Sequence, residues 1–317
     1  MRIRDLKRST GGAVSMKVIL IVVLVVIMVS ASTLVVMFSS GSNTNPNANV
    51  VQNGDTVTVN YVGKLVDGRV FDTSIWSVAN DTSQAKSLTF TLKSQSSYTP
   101  FSFKVGAGSV IPGFNSAVLG MTLSNPYKNV TIPASQAYPE QTQFNKVFNL
   151  TPELRVFVNY TYADFNTKYS ISNPVQGMTI TDPLYGWPVW IAVADSIADR
   201  VQVMNMPQVD GLYRIYAPVD TSKAGGWNAR VVSVNSSAFG GEGRIVVHSE
   251  LTAADDRNIL GTEKVSSTVT KTFIVTQVDN VNNTCILAYN NPSTGYNAEL
   301  GGQILVFEII LTKIVKG

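Results

Sequence analysis

The sequence predicts a β-rich α+β chain, and three observations lead there. Hydrophobic residues make up 44% and charged residues only 14% of the 317 residues. Thr, Ser, Asn, Val and Tyr are common, which is the mix of strands joined by polar loops. Beyond residue 50, several stretches alternate apolar and polar residues, the period of a half-buried strand. One short segment, starting at Pro112, carries helix-start chemistry instead. The expected architecture is mostly strands with one short helix, preceded by one N-terminal transmembrane helix.

The uncharged run 18–38 (VILIVVLVVIMVSASTLVVMF) matches the roughly 20 apolar residues that cross a bilayer as a helix. Residues 1–17 carry Arg2, Arg4, Lys7, Arg8 and Lys17 against Asp5, whereas the following SSGSNTNPNAN is uncharged. That asymmetry keeps the N-terminus cytoplasmic and the bulk of the chain extracytoplasmic. A cleaved signal peptide is the alternative, because Ser30-Ala31-Ser32 offers small residues; the apolar run, however, continues to Met37. Residues 39–50 read as a flexible tether. Six Asn-x-Ser/Thr triplets, at Asn80, Asn129, Asn149, Asn159, Asn235 and Asn282, fit that placement. A chain rich in Asn and Thr also produces such triplets by chance.

The net charge of +3 comes largely from residues 1–17, so no basic face invites nucleic acid. A single cysteine, Cys285, forbids an intrachain disulfide. A single histidine, His248, excludes a multi-ligand His/Cys metal site and would have to serve any Ser-His-Asp triad. His248 reads as a surface strand residue. No cofactor and no metal are expected.

In chain order, 55–65 (DTVTVNYVGKL) alternates as a strand, and Val66-Asp67-Gly68-Arg69 carries the Asp-Gly hairpin signal. Residues 70–74 begin the return strand. An excursion, 75–99, contains a strand-like piece, 87–92 (SLTFTL), and 100–105 is the next strand. Gly106-Ala107-Gly108-Ser109 is a glycine-rich turn. Pro112 suits the first turn of a helix, where its missing N–H is no loss, and the helix runs toward Gly120. Residues 129–133 form another strand, and 304–311 the last.

The blocks NGDTVTVNYVGKLVDGRVFDTS, PFSFKVGAGSVIPGFNSAVLGM, VTIPASQAY and the terminal LGGQILVFEIILTKI resemble, in order, the FKBP-type peptidyl-prolyl isomerases. The resemblance covers roughly 53–74, 100–138 and 300–315, and it implies a bent antiparallel sheet wrapped around one short helix. The isomerase domain is then discontinuous, 51–140 and 297–317, with residues 141–296 inserted after Tyr138. An insertion at that point resembles the SlyD-like branch, whose insert-in-flap domain binds unfolded chains. Two departures stand out. Pro139 follows Tyr138 where the family usually has glycine, and the short flap is replaced by the insert.

Matched block by block, the resemblance places the substrate pocket on Tyr61, Phe71, Asp72, Phe101, Val110, Ile111, Phe114, Tyr138 and Phe307. Phe114 is the expected floor under the proline ring, and Tyr61, Phe71, Phe101 and Phe307 the aromatic walls. The Ile111 N–H is expected to meet one substrate carbonyl and the Tyr138 hydroxyl another. Asp72 takes the polar end, polarising a carbonyl or holding Tyr61. Asp72, Tyr138 and Phe114 are the candidate catalytic residues and the others bind substrate. Taken singly, apolar residues such as Val110 and Phe307 are ordinary core; only the ordered match lifts them out of it.

Within the insert, Gly186-Trp187 and Gly226-Trp227 each lead into a strand, a polar turn and a strand. Residues 272–290 repeat the hairpin without Gly-Trp. The pattern predicts hairpins sharing one β core, a repeat of one or two domains. Trp187, Trp190, Met204, Met206 and Trp227 form either that core or a client-binding surface.

Three readings compete, the last a glycosylated structural surface protein that needs only the anchor and the β-rich insert and leaves the ordered blocks unexplained. The first is a membrane-anchored prolyl isomerase acting on extracytoplasmic, proline-containing or unfolded polypeptides, with chaperone-like binding by the insert. The second is a non-catalytic anchored chaperone with a vestigial pocket.

Overall fold

The computed structural model describes residues 49–217, 225–265 and 269–317. The expected membrane helix lies outside these residues. Among them, no helix is long and apolar enough to cross a membrane.

The isomerase-like part is organised on β1 (Thr56–Leu65). Its residues alternate: Val57, Val59, Gly63 and Leu65 are buried, while Thr56 is exposed. One edge of β1 is shared by β2 (Val70–Thr73) and β3 (Phe101–Lys104), with Gly63 opposite Asp72 and Val59 opposite Phe101. The other edge pairs antiparallel with β17 (Leu305–Val315), which reaches further than the expected 304–311. β4 (Tyr127–Ile132) closes the sheet on the far side of β17. The helix Pro112–Val118 starts on its proline and buries Gly113, Phe114, Ala117 and Val118. These residues share one core with Val57, Val59, Ile132, Leu305, Phe307 and Ile309.

The excursion 75–99 holds no strand at 87–92; Leu88 and Thr89 are in a turn. The reason is a contact distant in sequence. The N–H groups of Leu88 and Thr89 donate to the Glu299 carboxylate at 2.7 and 2.8 Å, which satisfies the donors a neighbouring strand would otherwise take.

Among the described residues, the insert contains three four-stranded antiparallel sheets. Each is a three-strand meander with a fourth strand added at its last member. The meanders are β8 (Thr179–Thr181), β9 (Pro188–Asp195) and β10 (Arg200–Asn205); β11 (Leu212–Ile215), β12 (Trp227–Asn235) and β13 (Arg244–Ser249); and β14 (Leu260–Lys264), β15 (Thr270–Asp279) and β16 (Thr284–Tyr289). The added strands come from one near-continuous segment: β5 (Asn145–Asn149) joins β16, β6 (Glu153–Arg155) joins β13, and β7 (Phe157–Tyr160) joins β10.

The three meanders are copies of one design. Each middle strand carries one bulged residue, Ala192, Val232 or Thr276, at the same spacing before an Asx turn at Asp195, Asn235 or Asp279. In each turn that side chain accepts a backbone N–H two residues on, from Ile197, Ser237 or Val281. Each turn then closes through a left-handed residue, Asp199, Phe239 or Asn283. Counted from the bulge, Val189, Ala229 and Phe273 are equivalent, as are Ile191, Val231 and Val275, and all six are fully buried. The third copy lacks Gly-Trp because exposed Lys271 stands where Trp187 and Trp227 stand. Phe273 supplies the missing ring from the neighbouring core position. Trp187 and Trp227 are buried in a single cluster fed by all three sheets, so they are core rather than client surface. Trp190, Met204 and Met206 are mostly covered. His248 lies on β13, with Nδ1 at 3.0 Å from the Thr151 hydroxyl.

Candidate functional site

The expected site residues converge from six separate segments. Tyr61 faces the helix from β1, its ring edge-on to Phe114 with centroids 5.8 Å apart. Phe114 packs on Phe307 of β17 at 5.1 Å, and Phe307 on Phe71 of β2 at 5.5 Å. Phe101 of β3 completes the wall beside Tyr61 at 6.2 Å and is 38% exposed, which puts it at the rim. Phe114 is only 4% exposed and forms the floor. Edge-to-face contacts of this kind add about 0.5–1.5 kcal/mol per pair beyond burial, so the rings hold each other in fixed orientations.

Room for this cluster comes from Gly63, which the sequence reading did not single out. A Cβ there would sit 2.6 Å from Phe71 Cζ and 3.0 Å from Phe307 Cε1. The available signal was a glycine inside an alternating strand, which often marks a close approach.

The polar end is built on Asp72. The Tyr61 hydroxyl donates to Asp72 Oδ2 at 2.6 Å, and Oδ1 accepts the Thr73 N–H at 2.9 Å. Burial, reinforced by the Asp72 charge and that hydrogen bond, pushes the Tyr61 hydroxyl well above the usual tyrosine range. Burial and then the same charge also raise Tyr138. Both hydroxyls therefore stay protonated through neutral pH and serve as donors.

Tyr61 spends its proton on Asp72. The Tyr138 hydroxyl makes no hydrogen bond among the described residues, and neither does the Ile111 N–H. Tyr138 is held by its backbone, whose carbonyl accepts the Gly302 N–H at 2.9 Å. Val110 and Ile111, at the glycine turn, are partly buried against the same core. The arrangement is an aromatic bowl with a fixed carboxylate on one side and two unspent donors, Tyr138 and Ile111.

Among the described residues there is no group of His, Cys, Asp and Glu side chains that could hold a metal ion. Cys285 is buried, and its burial pushes the thiol up to about 12, so it is no nucleophile.

Residues 47–154 match the sequence model described as FKBP-type peptidyl-prolyl cis-trans isomerase. FK506-binding protein 2 of Yarrowia lipolytica is 39% identical over 88 residues, 28% of this chain and 46% of that protein. The short-type peptidyl-prolyl cis-trans isomerase of Methanocaldococcus jannaschii is 39% identical over 90 residues, 28% of this chain and 52% of that protein. Peptidyl-prolyl cis-trans isomerase FKBP15-2 of Arabidopsis thaliana is 36% identical over 88 residues, 41% of its length. The chain thus spans about half or less of the relatives it matches. The match ends within the insert, and in the structure β17 returns to complete the sheet that the matched residues begin. The chain contains an FKBP-type peptidyl-prolyl cis-trans isomerase domain.

Proposed function

We propose that the chain catalyses cis-trans isomerisation of Xaa-Pro bonds in polypeptide clients outside the cytoplasm. The reaction makes and breaks no covalent bond. Its barrier is about 20 kcal/mol because twisting the amide removes its resonance. A catalyst therefore needs a surface that fits the twisted amide better than the planar one. The twisted carbonyl carries less dipole, so an apolar, water-poor bowl penalises it less than the planar ground state. Phe114 supplies the floor for the proline ring. Tyr138 and the Ile111 N–H grip the flanking carbonyls. Asp72 fixes Tyr61 and sets the polar edge. The observation that carries this reading is the aromatic bowl beside two unspent donors. These donors fit peptide carbonyls, and the site needs no nucleophile.

A protease-coupled assay on a short Xaa-Pro peptide tests it. Replacing Asp72 with Asn weakens a charged hydrogen bond of about 1.5–3 kcal/mol, so kcat/KM is expected to fall roughly ten- to hundredfold. A wild-type rate no higher than the uncatalysed one removes the enzyme reading and leaves a peptide-binding module.

The finer proposal gives the insert, placed as in an insert-in-flap branch, a client-holding role. Its support is two equivalent hairpin tips that end in bare apolar residues, Ile197 at 98% and Val281 at 95% exposure. A double Ile197→Ser, Val281→Ser variant should keep peptide isomerase activity and lose suppression of client aggregation. Unchanged suppression would place client holding elsewhere. The run 18–38 serves in this reading as the membrane anchor; release of the full chain from membranes by alkaline carbonate would refute that.

A further inference from the structure

The Asn-x-Ser/Thr triplets are not used by the isomerase reading, yet they share a placement. All six asparagines are exposed, whereas most other described asparagines, Asn60, Asn115, Asn205, Asn228 and Asn297 among them, are mostly covered. Each of the six lies on an outer strand or in a turn. Asn129 is on β4, the outer strand of the isomerase sheet. Asn149 ends β5 and Asn159 is on β7, outer strands of two insert sheets. Asn80 closes the short helix Trp76–Ala79, and Asn235 and Asn282 sit at hairpin turns.

Local hydrogen bonding splits the six into two groups. In the Asn149 triplet, the Thr151 hydroxyl donates to Asn283. In the Asn159 triplet, Thr161 is the N-cap of the helix Tyr162–Tyr169 and donates to Asp164. In the Asn282 triplet, the asparagine Nδ2 itself donates to Asp279 at 2.6 Å. In the other three, the asparagine Nδ2 donates to no described residue and no hydroxyl is engaged outside its own triplet. Neither asparagine Nδ2 nor the hydroxyl of the Asn80 and Asn129 triplets is tied to any described residue. In the Asn235 triplet, Ser237 folds back on the acceptor itself: its N–H and hydroxyl both donate to Asn235 Oδ1, at 3.1 and 3.0 Å. That leaves Nδ2 of this exposed asparagine without a partner among the described residues.

We propose that Asn80, Asn129 and Asn235 are N-glycosylation sites. The donor is an oligosaccharide carried on a lipid phosphate. The asparagine Nδ2 forms a bond to the anomeric carbon, the bond from that carbon to the phosphate oxygen breaks, and Nδ2 gives up one proton; nothing is oxidised or reduced. At Asn129 the placement leaves the pocket open. Asn129 pairs with Glu308 next to the Val130–Phe307 pair, so strand alternation turns it to the face opposite the aromatic bowl. A glycan there also covers the open edge of β4, an unpaired edge that otherwise invites another strand.

The test uses the full chain purified from the membranes of its own cells, with glycopeptide mapping and intact mass. The expected result is glycan on Asn80, Asn129 and Asn235, and the loss of one glycan step for each Asn→Gln substitution. Thr82→Ala, Thr131→Ala and Ser237→Ala repeat the test while keeping each asparagine, which separates lost modification from misfolding. Asn149→Gln, Asn159→Gln and Asn282→Gln should change the mass only by the substitution. A chain unmodified at the three named sites, or modified only at the other three, overturns the proposal. Neither result depends on isomerase activity.

Discussion

At the residue scale, the bowl depends on an atom that is absent. Gly63 lies opposite Asp72 and gives the Phe71 and Phe307 rings the space a Cβ would occupy. Gly63→Ala should force both rings off their positions, cost about 1–3 kcal/mol of stability, and lower kcat/KM for the peptide substrate. Thermal unfolding and the peptide assay check this together; an unchanged Tm with full activity would mean the rings relax freely. The sequence made the opposite corner of the site far more legible. The Asp67-Gly68 turn announces a hairpin, and a hairpin folds Tyr61 back toward Asp72. What the hairpin signal does not contain is the 2.6 Å bond between them, or the fact that a glycine two residues on is being crowded by two rings. Alternation records which face a residue takes; it does not record what arrives from a strand far along the chain.

At the element scale, the excursion 75–99 and the start of the returning segment 297–317 are fastened by one carboxylate. Glu299 is 2% exposed and accepts from Leu88 N–H, Thr89 N–H and the Thr89 hydroxyl, with Arg69 at 3.5 Å. Around it, Leu88 and Phe144 pack against Leu260, Ile274, Ala288, Tyr296 and Ala298. This fastening is why 87–92 reads as a strand and is not one. Its composition fits a strand, but its backbone donors are claimed by a residue more than 200 positions away. Glu299→Ala strips the partners from two backbone donors and leaves Arg69 beside an emptied site. A loss of about 3 kcal/mol is expected, with much smaller loss for Gln, which keeps an acceptor. Denaturant unfolding measures the difference, and hydrogen exchange at Leu88 and Thr89 localises it. An Ala variant as stable as the wild type would show that the carboxylate fastens nothing. The insert hairpins, by contrast, were legible as repeats because they are local: Gly-Trp, a polar turn and a returning strand lie within one stretch of chain.

At the scale of the whole molecule, the sheet must close across the insert. β1 is made early and its main partner, β17, comes last, so the central pairing is strongly non-local. The insert eases that closure. Its first and last strands, β5 and β16, pair directly, with Asn145 opposite Ala288 and Asn149 opposite Thr284. Once folded, it delivers the chain back beside its point of departure, and the long loop behaves as a short one. The closure is secured at its end by Asp55, a buried carboxylate that accepts from Gln52 N–H at 2.8 Å, Lys316 Nζ at 2.7 Å and Gly317 N–H at 3.2 Å. The Lys316 hydrogen bond above all holds the Asp55 carboxyl below the usual carboxylate range. The sign follows from that depression. Below its unfolded pKa the unfolded chain takes up a proton that the folded chain refuses, so the stability Asp55 contributes is complete near neutrality and is lost as pH falls through its folded value. Asp55→Asn should therefore lower Tm at pH 6 and 7, by an amount corresponding to about 1–3 kcal/mol. The gap between wild type and variant should shrink as pH falls below about 4, the range where an unfolded aspartate titrates. Scanning calorimetry of both proteins from pH 7 to pH 3 measures that gap. A gap that stays constant with pH would mean that the charge of Asp55 is not what joins the start of β1 to the end of β17.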